Sequence, residues 1–219
     1  MCPPVFNRCV NTGRGRLLVS VISVFLLPIG SGAEVICALG PAVSSYNAYE
    51  DQRPSPDAMQ LAGDVNAALS PICRPRCPQI ALFRNATAAN AMLVVANGDA
   101  KIVYAPQFFT TVYDTYGEGA IVALIAHELG HAVDETAPVE WIRRDWFPEV
   151  RADAWAACAL AKLNLGTRAL RETLAALAKY PSPAHPAWPQ RVPALKLGYT
   201  RCGGQGAAFD RAASPLTRQ

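Results

Sequence analysis

Residues 121–135 read IVALIAHELGHAVDE, and the reading of the whole chain turns on this stretch. Its first half is apolar without interruption, so a helix here is apolar nearly all round and must be buried. Its second half places His127 and His131 four residues apart, with Glu128 beside the first. The chain has only three histidines. Residues at i and i+4 share one helix face, one turn apart. Two imidazoles so placed reach a single tetrahedral zinc, at about 2.0–2.1 Å from each nitrogen. Glu128 is rotated by about 100° from His127 and stands beside such an ion rather than on it. There its carboxylate is placed to take a proton from the attacking water and pass it to a leaving amine. The alternative is a core helix whose two imidazoles and carboxylate are satisfied by hydrogen bonds alone. Burying three polar side chains in so apolar a helix without a strong partner is costly, which favours the metal site.

A catalytic zinc of this kind takes a third protein ligand and keeps one position open. The pattern that continues with a glycine and a third histidine is excluded, because Asp134 and Ala137 stand at those places. The segment PEVRADAWAACAL, residues 148–160, offers Glu149 and Asp153 instead, again at i and i+4. Glu149 is expected to point at the ion. Asp153 is expected to accept the outer N–H of a ligand histidine, which fixes its tautomer and orientation. Ala152, Ala156 and Ala157 keep this helix slim enough to approach the first.

H-E-x-x-H followed by E-x-x-x-D resembles the gluzincin branch of zinc metallopeptidases. The resemblance implies His127, His131 and Glu149 as ligands of one Zn2+, Glu128 as general base and acid, and Asp153 as the carboxylate behind a ligand. A narrower likeness is to the CAAX-prenyl-protease-like and heat-shock-type zinc endopeptidases. It rests on NAMLVVANGDAKIVYAPQFF, where Asn90 and Ala91 match, and on HPAWPQR, which supplies His185, Pro186 and Arg191. It spans residues 79–199. By this likeness His185 faces the zinc, either stabilising the oxyanion or occupying the open position and holding the enzyme idle; the residues alone equally allow a surface or proline-loop histidine. Arg191 either adds positive charge to that oxyanion or pairs with a nearby acid. Only 17 residues separate His131 from Glu149, fewer than in membrane-bound members of the family, so the chain resembles a minimal soluble relative.

The rest of the sequence frames this centre. Arg14 and Arg16, an apolar run over 17–27, and Ser31-Gly32-Ala33 describe a secretory signal peptide cut after Ala33. The run is shorter than the roughly 20 residues that span a bilayer, so no lasting membrane insertion is expected. Cleavage removes Arg8, Arg14 and Arg16 and brings the net charge from +3 to 0. Basic residues are scattered, which excludes nucleic acid as a partner. Export to the periplasm or the medium permits disulfides. Five cysteines remain, with Cys73–Cys77 and Cys158–Cys202 as candidate bridges and one left over. Asn85-Ala86-Thr87 is a glycosylation sequon.

Residues 34–55 read as an extended lead-in, 56–202 as one zincin-like domain, and 203–219 as a flexible tail. Within the domain, Ser55 and Pro56 open a helix that ends near Pro71. Strands follow at 79–83, 90–95 and 100–105, with Asn97-Gly98 as a hairpin turn. Helices are expected at 115–135, 148–165 and from Thr167, with a short last one. The fold class is α+β: a small antiparallel sheet packed on the buried H-E-x-x-H helix, then a helical C-terminal half. The expected function is an exported zinc peptidase acting on protein or peptide. Its substrate would pair as an added strand along Lys101, Ile102, Val103 and Tyr104 at a sheet edge. The competing readings are a non-hydrolytic, chaperone-like zinc module and a latent enzyme gated by His185.

Overall fold

The structure is a computed structural model that describes residues 34–38, 46–78, 80–96, 99–179 and 186–216. The expected signal peptide, the Asn97-Gly98 turn and His185 lie outside the described residues. The fold class is α+β as expected, with four strands and seven α-helices among the described residues. Helix α1 spans Pro56–Cys73, where the Ser55 hydroxyl caps the Ala58 N–H and Pro56 stands in the first turn. Pro71 lies inside the last turn of α1 rather than ending it.

The sheet has the order β1-β3-β4-β2, made of Glu34–Ala38, Ala91–Ala96, Asp99–Tyr104 and Ala81–Arg84. β3 and β4 form the expected antiparallel hairpin, with Ala96 facing Asp99. β2 joins β4 in parallel, so the sheet is mixed, not purely antiparallel. One face, with Ala91, Leu93, Ile102, Tyr104 and Leu82, packs on the helices. The other, with Met92, Val94 and Val103, is covered by Ala88, Ala105 and Tyr46.

The placement of β4 overturns one expectation. Lys101, Ile102, Val103 and Tyr104 are paired on both sides, by β3 and by β2, so no main-chain groups are left for an added strand. Their side chains are structural as well. Ile102, Val103 and Tyr104 are buried, and Tyr104 stacks on Phe109 at 4.2 Å. The Lys101 ammonium pairs with Asp51 and lies 5.9 Å from the Tyr46 ring centre and 5.5 Å from that of Phe83. Asp51 also accepts from Asn85 Nδ2 at 2.7 Å, which pins residues 46–52 across the sheet. Asn85 is itself 1% exposed, so the acceptor side chain of the sequon is buried in the folded chain.

Helix α2, Pro106–Tyr116, was not anticipated; Pro106 stands in its first turn. Gly117, at φ 89°, breaks it from α3, Glu118–Thr136. Only glycine adopts that backbone conformation cheaply. α3 is buried continuously from Gly119 to Asp134. Around it pack α4 (Pro148–Leu163), α5 (Thr167–Lys179) and α6 (Trp188–Arg201). The residues expected to be a flexible tail contain α7, Gly206–Ala213, which buries Phe209 against Leu170, Leu174 and Leu195. Cys73–Cys77 and Cys158–Cys202 are both disulfides, and the second ties α4 to the end of α6.

α4 is gripped on two sides at backbone distance. A Cβ on Gly130 of α3 would lie 2.8 Å from the Ala152 carbonyl oxygen, and one on Gly198 of α6 only 1.9 Å from that of Ala154. Contacts this close leave no room for a methyl group, so Gly198→Ala is expected to lower unfolding free energy by about 1–3 kcal/mol or more, read from urea melts.

Candidate metal centre

His127 and His131 project from the middle of α3, and Glu149 from the first turn of α4. One ligand atom from each lies within 4.8 Å of the other two, and all three residues are buried. The Glu149 Oε2 is 3.1 Å from His127 Nε2 and 3.4 Å from His131 Nε2. The rings stand edge to face, 4.9 Å between centres. Two imidazole nitrogens and one carboxylate oxygen on a common point match the donor set of an open zinc site. A second observation agrees: His131 Nε2 is buried and forms no hydrogen bond. A buried polar atom without a partner is costly, and an ion at this point would satisfy it. The group is therefore able to hold one metal ion.

The supporting shell is complete. His127 Nδ1 is 3.1 Å from Asp153 Oδ1. Arg191 grips the same carboxylate with both arms, Nε donating to Oδ2 at 2.7 Å and Nη2 to Oδ1 at 2.8 Å, while Nη1 donates to the Leu177 carbonyl at 2.7 Å. Burial alone would push the Asp153 carboxyl up, but the Arg191 charge and its hydrogen bonds hold it down at about 2. An ionised carboxylate only accepts, so His127 Nδ1 must donate, and Nε2 is the nitrogen left to face an ion. Arg191 is thus committed to Asp153 and not to an oxyanion, which selects the second of its two expected roles.

Glu128 is fully buried, and neither carboxylate oxygen forms a hydrogen bond. Burial pushes its carboxyl up to about 8, and the charge of the neighbouring His127 offsets only part of that shift. His127 shows the reverse balance. Burial pulls its imidazole down, and hydrogen bonds to Asp153 and Glu149 outweigh this, holding it at about 10. In the metal-free chain a proton on His127 therefore bridges towards the carboxylate, where a cation would otherwise sit.

Two contributors escaped the reading of the sequence. Gly130, inside ELGH, lets α4 approach and so sets the distance from the histidines to Glu149. Asp134, one turn beyond His131, accepts from Arg151 Nε at 2.6 Å and Arg144 Nη1 at 3.1 Å. Arg151 also donates to the Trp146 carbonyl, which latches the α3–α4 connector just before Glu149. The i, i+3 spacing of Asp134 from His131 was a visible signal; the arginines sit too far along the chain to be assigned. A surface groove of about 940 Å3, lined by Leu61, Tyr113, Glu118 and Glu172, lies at the start of α3 and includes none of the metal group.

Compared with protein-family models, curated proteins and solved structures, the chain finds no match.

Two outcomes test the shell. Arg191→Ala leaves Asp153 buried and unpaired; a loss of about 3–5 kcal/mol of stability is expected, with zinc affinity down about 10–100-fold, measured by unfolding and competitive metal titration. For pH, Asp153 has a depressed folded value, so its contribution is complete above about pH 4 and is lost as pH falls through 2. His127 has a raised value, so its contribution is complete below about pH 6.5 and is lost as pH rises through 10. Glu128 acts in the same alkaline sense, losing its stabilising proton between about pH 4 and 8. The metal-free chain should therefore melt at lower temperature at pH 10 than at pH 6, and again below pH 4. Zinc should reduce the alkaline loss, because binding already removes the His127 proton.

Proposed function

We propose that this chain is an exported zinc-dependent peptidase of gluzincin type, cleaving protein or peptide substrates. The observation that carries the reading is Glu128: a fully buried carboxylate without a hydrogen-bond partner, one residue from a ligand histidine. A structural metal site needs no such group, and an unpartnered buried carboxyl is costly to keep. Hydrolysis needs it as a proton carrier.

When bound, zinc would polarise the scissile carbonyl and acidify the attacking water. The protein supplies the rest. Glu128 accepts a proton from that water at a carboxylate oxygen and delivers it to the amine nitrogen that leaves. A carboxyl whose affinity for protons is raised by burial is suited to both halves of that transfer near neutral pH. Asp153, clamped by Arg191, keeps the His127 ring from turning, so the metal-facing nitrogen stays fixed. Asp134 with Arg144 and Arg151 holds the start of α4, and with it Glu149. The two disulfides fit an oxidising destination, and no helix among the described residues is long and apolar enough to cross a membrane.

A catalytically latent zinc protein is the second reading, favoured by the depth of the site: His127 and Glu128 are 0% exposed and Glu149 2%. Glu128→Gln separates the two. The variant should keep one zinc per chain by metal analysis while hydrolysis of unfolded casein falls at least 100-fold. Casein cleavage equal in both chains would remove the catalytic role, and zinc without cleavage in the parent would select latency.

A further inference from the structure

We propose that the groove at the start of α3 docks an extended segment of a protein partner in which lysine or arginine alternates with apolar residues. The inference does not depend on the peptidase reading, because the groove shares no residue with the metal group.

The shape of the groove suits a chain. Its volume of about 940 Å3 lies among those of sites that bury whole ligands. Its walls are Leu61 and Asp64 on α1, the end of α2, the first turn of α3, and the passage from α4 into α5. A second hollow of about 530 Å3 shares Leu61, Tyr113 and Glu118 with it and continues past Ala58 and Phe109. The two join into one open trough, which an extended segment fills better than a compact ligand does. The floor is apolar: Leu61, Tyr116, Leu163 and Leu165 are half-buried and pack on the core beneath.

The charge of the walls selects the occupant. Asp64, Asp114, Glu118 and Glu172 line the groove against one cation, Arg168. The whole chain carries 20 basic and 17 acidic residues, so this imbalance runs against the rest of the molecule. Arg168 Nε donates to Glu172 Oε1 at 2.6 Å, which cancels that pair. No ion pair reaches Asp64, Asp114 or Glu118 among the described residues. Helix stability explains only one of these three. Glu118 stands in the first turn of α3, where a negative charge is favoured. Asp114 stands in the last turn of α2, where the helix dipole opposes a carboxylate and no basic residue offsets it.

The aromatic residues point to the same chemistry. Tyr113 is 56% exposed, and Tyr116 lies one turn further along the same side of α2. The face of an exposed ring attracts an ammonium or guanidinium group. A lysine or arginine laid in the trough covers the leucines with its aliphatic stem and sets its head between Tyr113 and the carboxylates. A bare cation would use the carboxylates and leave the floor uncovered. An acidic or purely apolar segment would meet unpaired negative charge.

The test uses the full, zinc-loaded chain and a fluorescein-labelled Ala-Lys-Leu-Lys-Leu-Arg-Ala peptide, followed by anisotropy. The peptide should bind with a Kd of about 100 μM or lower, weakened about fivefold or more in 1 M salt. Asp114→Asn with Glu118→Gln should weaken binding about tenfold or more, and Tyr113→Ala about two- to fivefold. Glu135→Gln with Glu140→Gln, exposed acids outside the groove, should leave it within about twofold. Zinc content and melting temperature should stay as in the parent. A readout that needs no variant is amide exchange of the parent chain. The first-turn N–H groups of α3 and α5 lack helical partners and exchange freely, and saturating peptide should slow them about fivefold or more. Unchanged exchange there overturns the proposal, and so does equal weakening by the groove pair and the distant pair, which would mean general charge attraction. Equal binding of a peptide with glutamate in place of its basic residues also overturns it. Displacement by spermine at the same affinity as the peptide would leave a cation site and remove the protein partner.

Discussion

The contact on which the structure depends is the backbone-to-backbone approach of α3 and α4 at Gly130 and Ala152. No side chain separates the helices there, because Gly130 has none and its missing Cβ would lie 2.8 Å from the Ala152 oxygen and 2.9 Å from Trp155 Cβ. Packing at that distance brings the first turn of α4 level with the second histidine of α3. Glu149 then reaches both imidazoles without stretching, and Asp153, one turn on, falls behind His127. A side chain at position 130 would move all four groups at once, since they ride on two rigid rods. The alanines of α4 serve the same end on its other flank, where Gly198 brings in α6. The precision of the metal group is thus set by residues that never touch an ion.

The helical C-terminal half follows from a second constraint, the charge of Asp153. A carboxylate with no exposure cannot stay ionised unless opposite charge and donors come to it. Arg191 arrives on α6 and is held in turn by the Leu177 carbonyl at the end of α5. The Cys158–Cys202 bridge fastens the end of α6 to α4. Replacing such a buried ion pair by apolar side chains is often neutral or stabilising, so its presence is better explained by what it orients than by what it adds to stability. What it orients is the His127 ring. The chain from Leu177 through Arg191 and Asp153 to His127 couples three helices to a single nitrogen.

What was legible in the sequence was local. H-E-x-x-H and E-x-x-x-D declare themselves because helical periodicity converts a spacing of four into a shared face, and both pairs lie where that rule predicts. Arg191 was singled out, but its partner was not, since choosing between Asp153 and an oxyanion requires the packing of α6 on α4. The sheet misled for a similar reason. The antiparallel β3–β4 hairpin is encoded within a dozen residues; the parallel pairing of β2 on β4 is decided by tertiary packing, and it moved Lys101–Tyr104 from a supposed edge to the interior. α2 was hidden by reading the apolar run of α3 backwards through Gly117, and α7 by the glycine- and alanine-rich composition around Phe209.

These constraints make the metal group a rigid unit. α3, α4 and α6 are locked by backbone contact, a buried ion pair and a disulfide, so the group cannot be opened by separating them without dismantling it. The sheet adds to this block from the other side, through the packing of β3 and β4 on α3. Two imidazoles and a carboxylate are therefore held together before any ion arrives, and a site ordered in advance leaves less conformational freedom to be lost when an ion binds.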